Sequence, residues 1–230
     1  MNRISLVLAT LILSSTACGD SRLDDDADAV NVIEVPGSTV RIAAIDDATY
    51  SVSFDGARFS APFTTRYDIA LAATTFDPKR GVPPAVDGVP ADLDDAPDNQ
   101  LYLVQFVTPP LEAFRSHLRT LGADSKTTLP GNALLVRMPA RVAEEVADLR
   151  YVRWVGPYRP SLRLHRDLSG ALTQASAVPV NVRTTDLAAR DQLLASLASR
   201  GIAARPMSAT STIVTATVRG DSLPSLLQDN

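Results

Sequence analysis

The chain contains few of the residues that enzymes most often use for catalysis or metal binding. It has one cysteine and two histidines. A single cysteine excludes an internal disulfide framework and any zinc site built from several cysteines. His117 and His165 lie far apart, without cysteine or carboxylate neighbours at ligand spacing. We therefore predict no metal site and no cofactor.

Motifs that place a catalytic triad are absent from the sequence as well. There is no Asp-Ser-Gly, Asp-Thr-Gly, His-Gly or Gly-x-Ser-x-Gly segment, and no phosphate-binding glycine loop. His117 lies beside an apolar helical stripe, and His165 lies in a basic run. These positions are typical of a partly buried flank residue and a solvated linker. The prediction is that this chain has no catalytic residues and is not itself an enzyme.

Basic residues do not form the stripe that a nucleic-acid partner requires. The net charge is −4. Acidic residues are concentrated between Ser21 and Asp28, a segment without aromatic residues. A segment of this kind cannot bury apolar surface, so residues 18–30 are interpreted as an acidic tether. No nucleic-acid partner is expected.

A short apolar segment marks the N-terminus. Arg3 precedes the run Ile4 to Leu13, and small residues follow up to Cys18. Spanning a bilayer needs about twenty apolar residues, whereas a shorter run before small residues is typical of a secretory signal. Residues 1–17 are therefore predicted to be a signal peptide, and the protein to be exported.

The position of Cys18, directly after the predicted cleavage site, resembles that of a bacterial lipoprotein signal. The resemblance implies that Cys18 carries a lipid and that the protein contacts a membrane only through this anchor. The expected location is the periplasm, the outer membrane or the medium. The alternative is an ordinary signal peptide followed by an incidental thiol.

The segment after the tether predicts a small β-rich module over residues 31–75. Asp55-Gly56 lies between two strand-like segments and is a strong signal for a two-residue hairpin turn. In that register Val52 faces Phe59 across the hairpin. Five prolines then fall within residues 76–99. Proline removes backbone donors, so this stretch is predicted to be a linker.

Residues 100–166 have a β-α-β-β-α-β pattern. The first strand, Leu101–Val107, precedes a helix that Pro109-Pro110 opens and Gly122 ends. The remaining strands are predicted near 124–129, 133–138 and 152–155, and the second helix carries Val142, Val146 and Leu149. Four antiparallel strands with two helices on one face form a ferredoxin-like unit.

The same order returns over residues 176–230, where Asp186 can cap a helix that ends before Gly201. By the offset of the repeat, the counterpart of the fourth strand falls beyond Asn230. The strand at Val178–Val182 is then left as an open edge, completed by a longer parent chain or by another segment. The predicted fold class is α+β, with two tandem ferredoxin-like βαββαβ units, the second lacking its last strand, after the β-rich module.

One face of the first predicted sheet is more apolar than exposure to solvent favours. Tyr102, Val104 and Phe106 can face the helices. The opposite face carries the candidate partner-facing residues, which are Leu103, Gln105, Leu135, Arg137 and Trp154. A sheet with helices on one side normally has a polar second face. Either the chain covers this face itself, or a protein partner docks on it.

Several segments of the first unit carry a family resemblance. They are Leu103–Phe106, Leu121–Ala123, Leu129–Met138 and Val152–Pro160. With these segments, residues 101–165 resemble the fervidolysin-type N-terminal pro-domain of subtilisin-like serine proteases. The resemblance implies a pro-region that assists folding of a protease domain and inhibits it, in cis or in trans. It also implies that the parent protein is a serine endopeptidase. The alternative is a stand-alone lipoprotein inhibitor or protein-binding module.

Overall fold

The structure, a computed structural model, describes residues 31–81, 91–94 and 99–228. These residues contain three antiparallel sheets, one short hairpin and five helices. The predicted α+β fold class is confirmed. The predicted signal peptide, the tether and Cys18 fall on residues 1–30, outside the described residues.

The N-terminal part contains a four-stranded sheet, ordered β1-β2-β3-β4, and a two-stranded hairpin. Its strands are β1 (Asn31–Glu34), β2 (Arg41–Ala44), β3 (Thr49–Ser53), β4 (Phe63–Thr64), β5 (Ile69–Ala70) and β6 (Thr75–Phe76). The Asp55 carboxylate accepts hydrogen bonds from the amides of Ala57 and Arg58, at 2.9 and 2.8 Å. Because this turn is wider than two residues, the strand that follows it begins only at Phe63, which pairs with Tyr50. Val52 and Phe59 therefore do not form the predicted pair.

The first unit has the predicted element order. Its elements are β7 (Leu101–Phe106), α1 (Glu112–Thr120), β8 (Asp124–Leu129), β9 (Ala133–Arg137), α2 (Ala140–Ala147) and β10 (Val152–Pro157), followed by α3 (Pro160–Arg163). All pairs are antiparallel in the order β10-β7-β9-β8, so the last strand lies beside the first, as in ferredoxin-like units. Gly122 ends α1 with φ +84°, a conformation that favours glycine.

The main core lies between this sheet and its two helices. Phe114 stacks on Phe106 and on Tyr151, with ring centroids 5.1 and 4.6 Å apart. Buried residues of β1–β3, Ile33, Ile42 and Val52 among them, join the same cluster. A module of about 45 residues buries too little surface to be stable alone, and this shared core explains how it is held.

The second unit repeats this order up to its last helix. Its elements are β11 (Ala177–Arg183), α4 (Leu187–Ser199), β12 (Ala204–Pro206), β13 (Ile213–Arg219) and α5 (Leu223–Gln228). The strands are ordered β11-β13-β12, and both pairs are antiparallel. Asp186 caps α4, as predicted, by accepting a hydrogen bond from the Ala189 amide at 2.8 Å. No further strand pairs with β11 among the described residues.

Polar contacts join the two units. Lys126 of β8 lies 2.8 Å from Asp124 and 2.8 Å from Asp186, the residue that caps α4. Arg163 of α3 donates to the Leu227 carbonyl of α5 at 2.9 Å. The Lys126 hydrogen bond and the Ala189 amide hold the pKa of Asp186 below its usual value.

Candidate interaction surfaces

The apolar face of the first sheet is covered by the chain itself. The β5–β6 hairpin lies on it, with Ile69 fully buried and Phe76 7% exposed. The cluster beneath the hairpin contains Ile69, Phe76, Leu101, Leu103, Ala133, Leu135 and Leu162. Of the two alternatives left open by the sequence, the structure therefore shows cover from within the chain. The sequence-based boundary at residue 75 cuts through β6, which belongs to this cover.

The five candidate partner-facing residues divide into buried and half-buried positions. Leu103 and Gln105 have no exposed surface, and Leu135 is 8% exposed, so a partner cannot reach these three in this structure. Trp154 is half-buried, with its ring edge-on to Phe76 at 6.2 Å. Arg137 is half-buried at the end of β9. The expectation that this face receives a partner is not supported.

A polar cluster, which we call the Arg153 cluster, fixes the cover to the sheet. It consists of Tyr67, Asp77, Gln105 and Arg153. Arg153 donates from Nη1 and Nη2 to the two carboxylate oxygens of Asp77 at 2.6 and 3.1 Å, and from Nη1 to Gln105 Oε1 at 2.5 Å. Gln105 Nε2 donates to the Tyr67 carbonyl at 2.7 Å. The guanidinium also lies 4.0 Å from the Tyr67 ring centroid.

The charges in this cluster are shielded from water. The side chains of Arg153 and Asp77 are 11% and 7% exposed. Burial by itself would raise the pKa of Asp77, but hydrogen bonds and charge from Arg153 outweigh burial and hold that pKa below its usual value. Burial raises the pKa of Tyr67, and Arg153 partly offsets this. Since every group has a partner inside the chain, the cluster acts as an internal clamp.

The two histidines take no part in a catalytic arrangement among the described residues. His117 Nδ1 forms a 2.7 Å hydrogen bond with the hydroxyl of Tyr151, whose pKa is raised by burial. His165 begins a 3-10 turn and faces Asp167 at 3.4 Å, with both side chains mostly exposed. His117 therefore satisfies the polar end of a buried tyrosine, and His165 stabilises a surface turn.

The described ranges also contain no candidate metal centre. No group of three or more His, Cys, Asp or Glu side chains lies close enough together to hold an ion in the parts of the chain that are described. Within the same ranges, no helix is long and apolar enough to cross a membrane.

The sheet of the second unit differs from the first because no element in the described part of the chain covers its outer face. Val178, Val180 and Val182 of β11 face α4 and α5 in the second core. The opposite face presents exposed residues from all three strands, namely Ala177, Pro179, Asn181, Arg183, Arg205, Thr217 and Arg219. Thr217 lies on β13, the central strand, opposite Pro179. This face is small and polar, which suits exposure to water or contact with a hydrated protein surface.

A family model described as a Domain of unknown function (DUF8729) matches residues 70–159. The matched segment runs from the second residue of β5 to two residues beyond β10, so it includes both the first sheet and the hairpin that covers it. No curated protein and no solved structure matches the chain.

Proposed function

We propose that this chain is the noncatalytic pro-region of an exported subtilisin-like serine protease, which it helps to fold and holds inactive. The open face of the second unit's sheet, beside a first unit whose apolar face is covered by the β5–β6 hairpin, is the observation that carries the proposal. Such a body has one sheet free to contact another folded protein. The resemblance of residues 101–165 to a protease pro-domain supplies the class of partner.

The way in which the first unit is closed supports a role in binding. Its apolar face is buried under β5–β6, and the buried Arg153 cluster clamps that cover in place. The first unit is therefore a rigid support, and contacts with a partner fall to the second unit. A sheet face on rigid elements binds with little loss of conformational entropy.

The mechanism is thermodynamic linkage. A pro-region that binds the folded protease and not its unfolded chain stabilises the folded state by mass action. The gain is about 4 kcal/mol when the free pro-region exceeds its dissociation constant a thousandfold. The same contact restrains the mature enzyme as long as the complex persists.

The first prediction concerns a subtilisin-like protease mixed with the whole chain. We expect the chain to raise the yield of active protease on dilution from denaturant and to reduce the activity of the native enzyme. Thr217→Lys, on the uncovered face, should weaken both effects about tenfold, because it places a charge and a longer side chain in the contact. Glu145→Gln is the control, since Glu145 is exposed on α2 and the loss of its negative charge changes the net charge by the same +1.

The outcomes of this experiment separate the two candidate functions. A higher refolding yield together with inhibition supports the pro-region. Inhibition with no change in refolding yield favours the alternative, a stand-alone inhibitor. If the chain changes neither quantity, the proposal is rejected.

The second prediction concerns the proposed lipid anchor. In cells that express the whole chain with Cys18→Ala, incorporation of labelled fatty acid should be lost, and the protein should leave the membrane fraction. Lipidation requires the thiol, and a single cysteine is present. If the wild-type chain incorporates no labelled fatty acid, the lipid anchor is contradicted. Export is then tested separately, by whether the first 17 residues are cleaved from the protein.

A further inference from the structure

We propose that the outer edge of β11 is a strand-addition site, which receives an extended, antiparallel segment of the bound protease. The proposal rests on the proposed function only for the source of that strand. The incoming segment carries apolar side chains at alternate positions and occupies the place that β10 occupies in the first unit.

The backbone of β11 presents free hydrogen-bonding groups along this edge. Thr184 donates to the Thr212 carbonyl at 2.9 Å, and the Ser176 carbonyl accepts from Gly220 at 3.1 Å. Bonding alternates along an antiparallel strand, so the even-numbered residues of β11 bond to β13 and the odd-numbered residues face outward. The outward residues are Ala177, Pro179, Asn181 and Arg183, all exposed and without a backbone partner among the described residues.

The first unit shows how this kind of edge is filled. In β7, the Leu101 carbonyl accepts from Tyr158 at 2.8 Å, and Val107 donates to the Tyr151 carbonyl at 3.1 Å. The odd-numbered residues of β7 therefore bond to the β10 side. With an offset of 76, the helix-facing Tyr102, Val104 and Phe106 correspond to Val178, Val180 and Val182. The odd residues of β11 are thus the counterparts of those that bond to β10.

The apolar residues in the core of the second unit are as exposed as expected when one strand is missing from the sheet. Eight of its apolar residues are buried and ten are only partly buried. Val178 and Val182 of β11 are among the partly buried residues. Phe106, the counterpart of Val182, is fully buried, whereas Tyr102, the counterpart of Val178, is partly buried in the first unit as well. An added strand with apolar residues on the helix side would cover them.

Other outer strands of the two units are less suited to pairing. β10 has a bulge between Val152 and Trp154 and ends at Pro157. β8 carries Asp124 and Lys126 and has a bulge between Ser125 and Thr127. β12 has three residues and ends at Pro206. Charges, bulges and short length are the devices that protect sheet edges. β11 has seven residues and a continuous apolar side.

Pro179 determines which strand the edge accepts. It lies at an outward position, where its missing N–H leaves the pairing with β13 intact. If two copies paired through β11 about a two-fold axis, both strands would carry a proline at an outward position. The pair would then lack two backbone hydrogen bonds, one at each Pro179. A foreign strand loses one. The edge therefore favours a different polypeptide over a second copy.

The test uses the whole chain and a capped peptide with the sequence of residues 151–158, which contains β10. In the chain, β10 already fills the edge of β7, so β11 is the equivalent edge that is open to the peptide among the described residues. We expect binding that slows hydrogen exchange at the Asn181 and Arg183 amides. N-methylation at Trp154 of the peptide should weaken binding about fivefold or more, because that amide would face Asn181. N-methylation at Val155 should have no effect, because that amide points away.

The chain supplies a second pair of matched variants. Pro179→Val restores the missing donor and should tighten peptide binding about fivefold, the equivalent of one hydrogen bond. Pro206→Val, on β12, should leave it unchanged. Equal effects of the two methylated peptides, or no gain from Pro179→Val, would overturn the proposal. So would a dimer that forms through β11 and that the peptide cannot dissociate. Since no protease is present, these results are independent of the test of the proposed function.

Discussion

Replacing Gly131 with alanine should lower the free energy of unfolding by about 3 kcal/mol. Gly131 lies in the β8–β9 turn at φ +77°, where a side chain is strained. A Cβ atom there would also lie 2.4 Å from the carbonyl oxygen of Asp68 and 2.8 Å from the amide nitrogen of Ile69. Backbone atoms cannot move aside as a flexible side chain does. The variant must therefore push the β5–β6 cover away from the sheet.

Gly122→Ala separates the two causes of this loss. Gly122 has φ +84°, but a Cβ atom would meet nothing within 4 Å. This control should cost about 1 kcal/mol, from backbone strain alone. Urea denaturation of the two variants gives the comparison. Equal losses would show that residues 68–69 do not press on the turn.

Fluorescence should report where the Gly131→Ala variant loosens. Trp154 is the single tryptophan of the chain, and its ring lies edge-on to Phe76 beneath the cover. If the hairpin lifts, the emission of the folded variant should shift to longer wavelength and quenching by iodide should increase. The Gly122→Ala variant should keep the wild-type spectrum.

Periodicity and end signals predict the longer helices and strands of both units, but not the short elements β12 and α3. The stripe of Phe114 and Leu118 follows the helical repeat, and both residues are fully buried. Gly122 and Gly201 end equivalent helices, both at positive φ. Asp186 was recognised as a cap because a carboxylate before an apolar helix satisfies free amides there. These features depend on neighbours within a few residues, which a sequence displays directly.

The cover of the first sheet could not be predicted because it depends on distant contacts. β5 and β6 have two residues each, too few to show a period. Asp77 lies among prolines and aspartates that are typical of a linker, and its partner Arg153 follows 76 residues later. The only signals were Gln105 and Arg153, polar residues within apolar strands. Such residues predict that a polar group is buried against them, but not which one.

For the candidate site, the sequence indicated the open edge, but it also offered a partner-facing surface whose central residues, Leu103, Gln105 and Leu135, are buried. The open edge of β11 followed from the length of the repeat. The apolar face around Leu103 and Leu135 predicted a buried contact correctly, since both are buried. The sequence could not show whether this contact comes from the chain itself or from another protein, because that depends on where the β5–β6 hairpin lies.

The ion pair beneath that hairpin leads to the second large effect. Replacing Arg153 with methionine should lower the free energy of unfolding by about 3 kcal/mol, because the buried Asp77 carboxylate then keeps only the more distant, exposed Arg80, at 3.5 Å, as an ion-pair partner among the described residues. Gln105 Oε1 loses the hydrogen bond that Arg153 donates in the same step. In the double variant Arg153→Met, Asp77→Leu, part of the loss should be recovered, because no buried charge remains. A double-mutant cycle from urea denaturation measures the coupling.

An exposed ion pair of the same chemistry provides the control. Arg219 and Asp221 are joined by two hydrogen bonds of 3.0 and 2.5 Å, with side chains 63% and 39% exposed. Arg219→Met should leave the free energy of unfolding nearly unchanged, because water screens this pair. If the two arginine variants lost equal stability, burial would not be the cause of the Arg153 effect.

The dependence on pH tests the same pair without removing the arginine. The pKa of Asp77 is lower in the folded chain than its usual value of 3.8. The stability that it contributes is therefore fully present above about pH 4 and is lost as the pH falls through the folded pKa. Asp77→Asn should be less stable than the wild type at pH 7, and the difference should shrink on titration from pH 5 to pH 2. A constant difference would mean that Asp77 is not charged in the folded chain. The buried Arg153 would then have to be stabilised by Gln105 and the Tyr67 ring alone.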